Sequence, residues 1–454
     1  MSFVRSISGI RATLGDDMTP DMVAKYVLAF AKATNFKKIA VGRDGRPSGA
    51  WIEKILSSTL SSRDVECNIL GIVPTPTVQL MVEKFDYDAG IVITASHNPE
   101  QWNGLKFLNS NGVFLNETEN QKVWDLVDSG VLEGDSNNPA KVKFSEVEPI
   151  DFHIKSVTNS GYIAERLEII QSRKFKVVVD AVNASGSVII PKLLESLGCE
   201  VIAINCEGNG EFPHVPEPLP QYLTELSAKV AEVGADVGFA VDPDADRLVL
   251  VDESGTCVSE EKTIALAIQS LMSASNDESK KIAVVNLSTS SYSEWAASQF
   301  GGKVARCPVG EIKVVSKMKE IGALIGGEGS GGVILPNCHY GRDSLVGICL
   351  ILGLMAQSNR SLSELSNDFP AYEMKKLKFD FEGNFENLKS RIIEEISSVR
   401  VNLEDGLRID TDSFWIHIRK SNTEPIIRLI YEKLNDSNID ETIDKIKSII
   451  TDTK

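Results

Sequence analysis

The chain has 454 residues, 42% hydrophobic and 24% charged, an ordinary globular composition too long for one core and suited to roughly three or four domains. With 47 Lys plus Arg against 64 Asp plus Glu and a net charge of −17, and no basic run, it is not built to bind nucleic acid or an anionic membrane, although local cations can still bind a small anion. The seven cysteines form no CxxC pair, the N-terminal MSFVRSISGIRATLG has no long apolar core, and the apolar run Leu345 to Ala356 is too short to span a bilayer, so we expect buried thiols and a cytoplasmic protein.

Near the start, Ser8-Gly9-Ile10-Arg11 precedes a helical pattern from Pro20 to Thr34, and a strand from Lys38 to Val41 then runs into Gly42-Arg43-Asp44-Gly45-Arg46-Pro47-Ser48-Gly49. Lying before an apolar helix from Ala50 to Leu60, that turn reads equally well as an anion-binding turn or as a charged surface turn. Gly90 to Ile93 is a short apolar run typical of a buried strand, and Asn98-Pro99 stops it. Thr94, Ser96 and His97 therefore ride a shaped loop at a strand end, where α/β folds place their ligands. A hydrolase is disfavoured, because neighbours in an extended segment face opposite ways, which keeps His97 from the Ser96 proton, and no GxSxG elbow is present.

Two stretches, Phe175 to Gly186 and Lys281 to Ser291, repeat the pattern of basic residue, β-branched strand, small polar turn and helix. A second unit also recurs. Asp88 to Phe107, Ala235 to Val251 and Gly322 to Leu335 each show a strand, a polar loop and another strand, with loops TASHNP, DPDADR and GEGSGG. Three similar α/β domains, each delivering one loop, explain the repetition. After about Asp368, with a linker near Asn367 to Tyr372, the pattern becomes strand, helix, two or three strands and a final helix, which suits a smaller α+β domain. In it Phe414, Ile416 and Ile418 alternate on one face ahead of the loop Arg419-Lys420-Ser421-Asn422-Thr423-Glu424-Pro425.

Asp242, Asp244 and Asp246 stand two residues apart, so three carboxylates can converge on one hard cation, and Mg²⁺ suits a few carboxylates plus a phosphate oxygen. The EF-hand spacing fails at Arg247, where that loop needs Gly. GGEGSGG lets backbone approach a ligand while Glu328 and Ser330 offer an acceptor and a hydroxyl. Arg419, Arg428 and the short polar side chains between them suit a phosphate.

TASHNP, the three-Asp loop, GEGSGG and RKSNTEPIIR, in this order and with GIR and VGRDGRPSG ahead of them, resemble the α-D-phosphohexomutases over the whole chain. The resemblance implies three similar α/β domains (1–150, 151–254, 255–368) plus a smaller C-terminal α+β domain (369–454) around a central active-site cleft. It implies that Ser96 carries a phosphoryl group beside one Mg²⁺ held by Ser96, Asp242, Asp244 and Asp246. Arg11, His97, Lys106 and Arg247 would surround it, with Lys106 as general acid/base. Glu328 and Ser330 would grip sugar hydroxyls, and Arg419, Ser421, Asn422, Thr423 and Arg428 the non-reacting phosphate. The phosphoryl group would move between the 6- and 1-positions of a hexose phosphate through a sugar bisphosphate, in a monomer or homodimer. SISGIRATLG, GEGSGG and YGRDS look closest to sequences assigned as phosphoglucosamine mutases or mixed phosphomannomutase/phosphoglucomutases. Glucosamine phosphate is therefore the expected substrate, even though the sugar loop ends in Gly331-Gly332 where that of many members ends with His, and Pro243 stands where their metal loop has Gly. A metal-dependent sugar phosphatase and a non-catalytic sugar-phosphate binder are the readings from other classes.

Overall fold

A computed structural model describes residues 3–130, 139–275, 277–396, 400–420, 426–435, 437 and 439–453. Four sheets follow one another along the chain. The first orders its strands as Phe3–Ser6, Gly9–Thr13, Trp102–Leu108, Ala89–Ile93, Lys38–Arg43, Glu66–Ile72 and Val142–Phe144. Ala89–Ile93, apolar and buried on both faces, lies parallel to Lys38–Arg43 and antiparallel to Trp102–Leu108, as expected of a strand covered by helices on each side.

The repeated unit read from the sequence is present three times. Ala89–Ile93 turns back into Trp102–Leu108, Val237–Val241 into Leu248–Asp252, and Ile325–Glu328 into Gly332–Ile334, each pair antiparallel. The helix Pro20–Thr34 has the predicted ends, with Thr19 capping its first turn and Asn35 in the left-handed conformation at its close. The apolar run near Leu345 lies within the buried helix Ser344–Ser358, and no helix among the described residues is long and apolar enough to cross a membrane.

The last sheet is antiparallel, in the order Tyr372–Asp380, Ile426–Leu434, Phe414–Lys420, Leu407–Asp410 and Arg400–Asn402, with helices Phe385–Glu395 and Asp440–Asp452. Four strands rather than two or three follow the first helix, because Arg400–Asn402 is too short and exposed to show a period. The expected one-faced strand is buried on both faces. Ile416 and Ile418 join the domain's own core, while Trp415 and His417 turn to the preceding domain: Trp415 Nε1 donates to Ser291 there as well as to Glu432 on the neighbouring strand, and His417 Nδ1 lies 2.8 Å from Ser288 Oγ.

One apolar cluster runs from Ile154 to Phe369 and a second joins Ala40 and Val92 to Val284 and Ile334, so the first three sheets share cores. The last keeps a core of its own and meets the rest through polar contacts such as Lys376 to Glu260 and Glu261. Between the first and third sheets, buried Asp343 accepts from His153 and His339 through one carboxylate oxygen, at 2.8 and 3.0 Å, while its other oxygen caps the helix Ser344–Ser358.

Candidate active site

The TASHNP loop is held in shape by residues far away in sequence. Thr94 Oγ1 accepts from the Ser96 backbone at 2.8 Å and donates to Asp44 at 2.6 Å. Asp44 pairs with Arg46, whose guanidinium donates to the carbonyls of Ser96, Asn98, Pro99 and Trp102 at 2.6 to 3.1 Å. Both readings of the GRDGRPSG turn are thus corrected. Arg46 and Asp44 are fully buried and form a strut behind the serine loop, neither an anion site nor a surface turn. The strut holds Ser96 at φ +50°, a left-handed conformation that a non-glycine residue keeps only when its surroundings impose it.

That backbone also corrects the reading of His97. The segment is not extended at Ser96, and Ser96 Oγ lies 3.2 Å from His97 Nδ1 as well as 2.9 Å from Asp242 Oδ2. Burial, then the charges of Arg247 and Arg11, hold the His97 imidazole well below its usual range, so it is neutral near pH 7.

Asp242, Asp244 and Asp246 are fully buried, not a solvated acidic turn, and their oxygens lie within 4.8 Å of one another. A left-handed turn at Ala245 makes the convergence possible. Burial, then the charges of Asp246 and Asp244, push the Asp242 carboxyl well above its usual range; three carboxylates this close ionise together only with a cation among them. Asp244 Oδ2 accepts from Thr75 and Lys106 at 2.5 Å and Asp246 Oδ2 from Arg342 at 2.6 Å. The Oδ1 atoms of both, though buried, have no hydrogen-bond partner among the described residues. This donor set fits a small divalent ion.

Lys106 is 3% exposed and bonds Asp244. Burial opposes its charge, but Asp244 and Asp246 outweigh it and raise the ammonium above its normal range. Arg247 lies 3.9 Å from both Asp242 and Asp246. Arg11 donates to Asn98 at 2.8 Å, with its pKa pushed down to about 10 by burial and the charge of Arg247.

Above this floor opens a cavity of about 760 Å³. It is lined by Arg11, His97, Asn98 and Arg247 from the first two domains, by Glu311, Glu328 and Arg342 from the third, and by Lys378, Arg419 and Arg428 from the last. The last three are in register on adjacent strands, Lys378 opposite Arg428 and Arg428 opposite Arg419. Glu328 accepts from Asn286 and Gly310 on one oxygen and from Arg342 on the other. Ser330, half-buried on the same loop, is outside the cavity lining. Ser421, Asn422 and Thr423 lie outside the described residues.

Sequence reasoning missed Asp44, Arg46, Thr75, Glu311, Arg342 and Lys378 as parts of the site. The first two and Arg342 stood in motifs that were noticed, GRDGRPSG and YGRDS, but their partners are distant along the chain; Thr75, Glu311 and Lys378 carry no local signal.

The chain matches phosphoglucomutase/phosphomannomutase alpha/beta/alpha domains I, II and III over residues 5–132, 151–255 and 259–372, and the C-terminal domain of the same family over residues 377–448. It is similar to a phosphoglucomutase/phosphomannomutase of Thermococcus kodakarensis, 33% identical over 452 residues and 96% of each chain. It is also similar to a phosphoglucosamine/phosphogalactosamine mutase of Sulfurisphaera tokodaii, 32% identical over 97% of this chain and 98% of the other. Its fold is that of a phosphoglucomutase/phosphomannomutase family protein of Burkholderia thailandensis, with a TM-score of 0.84, 24% identity, and 99% and 98% coverage. The repeated strand–loop units, the aspartate loop under a serine and the cation-walled cavity thus have a common explanation: this chain belongs to the phosphoglucomutase/phosphomannomutase family and is a phosphohexomutase, an isomerase that relocates phosphoryl groups on sugars.

Proposed function

We propose that the protein interconverts the 6- and 1-phosphates of a hexose, with glucosamine phosphate preferred, through a phosphoryl group carried on Ser96 and a sugar bisphosphate that turns over in the cavity. The observation that carries this reading is the shared cavity: His97 and Asn98 beside Ser96, Arg247 at the end of the aspartate loop, and Lys378, Arg419 and Arg428 of the last sheet all line it. A phosphatase needs the serine and aspartate loops and not the cations of the last sheet.

The transfer exchanges one phosphate ester for another and is close to thermoneutral, so positioning and electrostatics are what the protein must supply. A phosphoserine adds about −1.5 to −2 charges, which Arg11 and Arg247 help to offset. One Mg²⁺ held by Asp242, Asp244, Asp246 and the Ser96 phosphoryl oxygen would supply Lewis-acid charge to the group in transfer. Lys106, held protonated beside Asp244 and Asp246, gives a proton to Ser96 Oγ as the phosphoryl group leaves, and the neutral amine so formed takes one from the attacking sugar hydroxyl. Glu328, on the cavity lining, orients the sugar ring. Lys378, Arg419 and Arg428, with Ser421, Asn422 and Thr423, hold whichever phosphate is not reacting. The residue between the two phosphates must reverse, so the grip has to recognise phosphate rather than ring position. The preference for glucosamine rests on relatives bearing the name phosphoglucosamine mutase.

Steady-state rates on glucosamine, glucose and mannose 6-phosphates test the proposal, with Ser96→Ala as control. Isomer formation, fastest on glucosamine 6-phosphate and abolished by the substitution, is the expected result. Release of inorganic phosphate without isomer would refute a mutase, and a faster rate on mannose or glucose phosphate would refute the preference.

A further inference from the structure

The side chain of Arg342 is the point where the aspartate loop and the sugar loop meet. Its guanidinium is buried and shared among three carboxylates: Nη2 donates to Asp246 Oδ2 at 2.6 Å, Nη1 to Glu328 Oε2 at 2.6 Å, and Nε to Glu311 Oε2 at 3.0 Å. Such a planar fork satisfies three acceptors in fixed directions, which an ammonium cannot do.

Two glycines make the room. A Cβ on Gly332 would lie 2.3 Å from Arg342 Cδ and 2.9 Å from Cγ, and one on Gly341 would lie 2.1 Å from Gln79 Oε1. The stem of Arg342 thus fills the space a side chain at position 332 would claim. Gln79 in turn donates to Glu311 at 3.0 Å, fixing the carboxylate that holds Arg342 Nε.

The consequence for the metal loop follows from which oxygens are taken. Arg342 and the more distant Lys106 occupy Asp246 Oδ2, while buried Asp246 Oδ1 has no hydrogen-bond partner among the described residues and only Arg247 Nε, 3.9 Å away, beside it. One oxygen anchored by hydrogen bonds and the other accepting none is the arrangement of a ligand oriented by its outer neighbour.

We propose that Arg342 is the positioning residue that orients Asp246 for the divalent cation and ties that ligand to the sugar-binding Glu328, so that metal affinity and sugar-phosphate binding depend on one guanidinium. This rests on the aspartate loop holding a divalent ion, as proposed above. Outer partners of metal ligands typically contribute about 10- to 100-fold in affinity.

The test is direct Mn²⁺ binding to the full-length protein without substrate, by electron paramagnetic resonance, for wild type, Arg342→Ala, Arg342→Lys, Gly332→Ala and Asp246→Asn. We expect wild type to bind, Asp246→Asn to lose binding, and both Arg342 variants to weaken it about 10- to 100-fold. Free guanidinium, but not methylammonium, should restore affinity to Arg342→Ala. Gly332→Ala keeps every charge and displaces only the arginine stem, so it should weaken Mn²⁺ binding too and raise KM for the hexose phosphate. If Arg342→Ala is poorly folded by circular dichroism, Gly332→Ala and Arg342→Lys carry the test. Mn²⁺ affinity within about twofold of wild type in folded variants, with Asp246→Asn still defective, would overturn the role of Arg342 alone. No binding by the wild type would overturn the metal reading with it.

Discussion

Replacing Arg46 tests whether the serine loop is held from behind. Arg46 makes four hydrogen bonds to loop carbonyls and a 2.9 Å ion pair with Asp44, at a site where both side chains are essentially inaccessible. Bonds to a charged donor are worth about 1.5–3 kcal/mol each and are not additive, and removing one partner of a buried pair costs about 3–5 kcal/mol because the other is stranded. Arg46→Ala should therefore destabilise the first domain by about 3–5 kcal/mol, a large share of a typical folding free energy. Arg46→Lys, which keeps the charge near Asp44 but cannot reach four carbonyls, should recover less than half. Freed from the strut, Ser96 has no reason to stay at φ +50°, and a misplacement of about 1 Å at a reacting atom costs on the order of 100-fold in rate. Amide hydrogen exchange over residues 94–102 and kcat on the same preparations provide the assay. Arg46→Lys with wild-type exchange protection and wild-type kcat would refute the argument, because a charge alone would then suffice.

Lys106→Ala should lower kcat by about 100- to 10,000-fold with little change in KM, the usual contribution of a general acid or base. Lys106→Arg should be equally impaired, because it keeps the charge but does not release a proton near neutral pH; an active arginine variant would assign Lys106 an electrostatic role instead. A second prediction concerns pH. Burial, opposed by the Asp405 carbonyl, lowers the His417 pKa from 6.5 to about 4, so below pH 6.5 the unfolded chain binds a proton that the docked imidazole refuses. That stabilisation is complete above pH 6.5 and is lost as pH falls toward 4, up to roughly 3 kcal/mol for a shift of this size. Because Nε2 is 2.6 Å from the Asp405 carbonyl and Nδ1 faces Ser288 Oγ, protonating Nδ1 removes the acceptor that joins the last domain to the third. Exchange protection at residues 286–291 should fall between pH 6.5 and 4 in the wild type; a profile unchanged in His417→Asn would show that another group is responsible.

The parts of the fold that could be read in advance are those written locally. Strand, polar loop and returning strand recur at Ala89–Leu108, Val237–Asp252 and Ile325–Ile334, and the alternate spacing of Asp242, Asp244 and Asp246 survives folding as convergence on one point. What could not be read depends on contacts between distant residues. Arg46 meets its carbonyl partners 50 to 56 positions away, and Arg342 meets Asp246 at a separation of 96. The position of His97 was misjudged for a different reason: the rule that neighbours face opposite ways assumes an extended backbone, and Ser96 is in the left-handed region because Arg46 and Thr94 hold it there. Trp415 and His417 are buried by another domain, so the alternation of their own strand gave no sign of it.

The central claim is that Ser96 passes a phosphoryl group to a sugar whose other phosphate is gripped across the same cavity. It is tested most directly by peptide mass analysis of the protein after treatment with a hexose 1,6-bisphosphate and then with excess hexose 6-phosphate. The account predicts one phosphate on the peptide carrying Ser96 after the first step and its loss after the second, with the bisphosphate recovered in solution. Phosphate on any other residue, or its departure as inorganic phosphate with no bisphosphate formed, would contradict it.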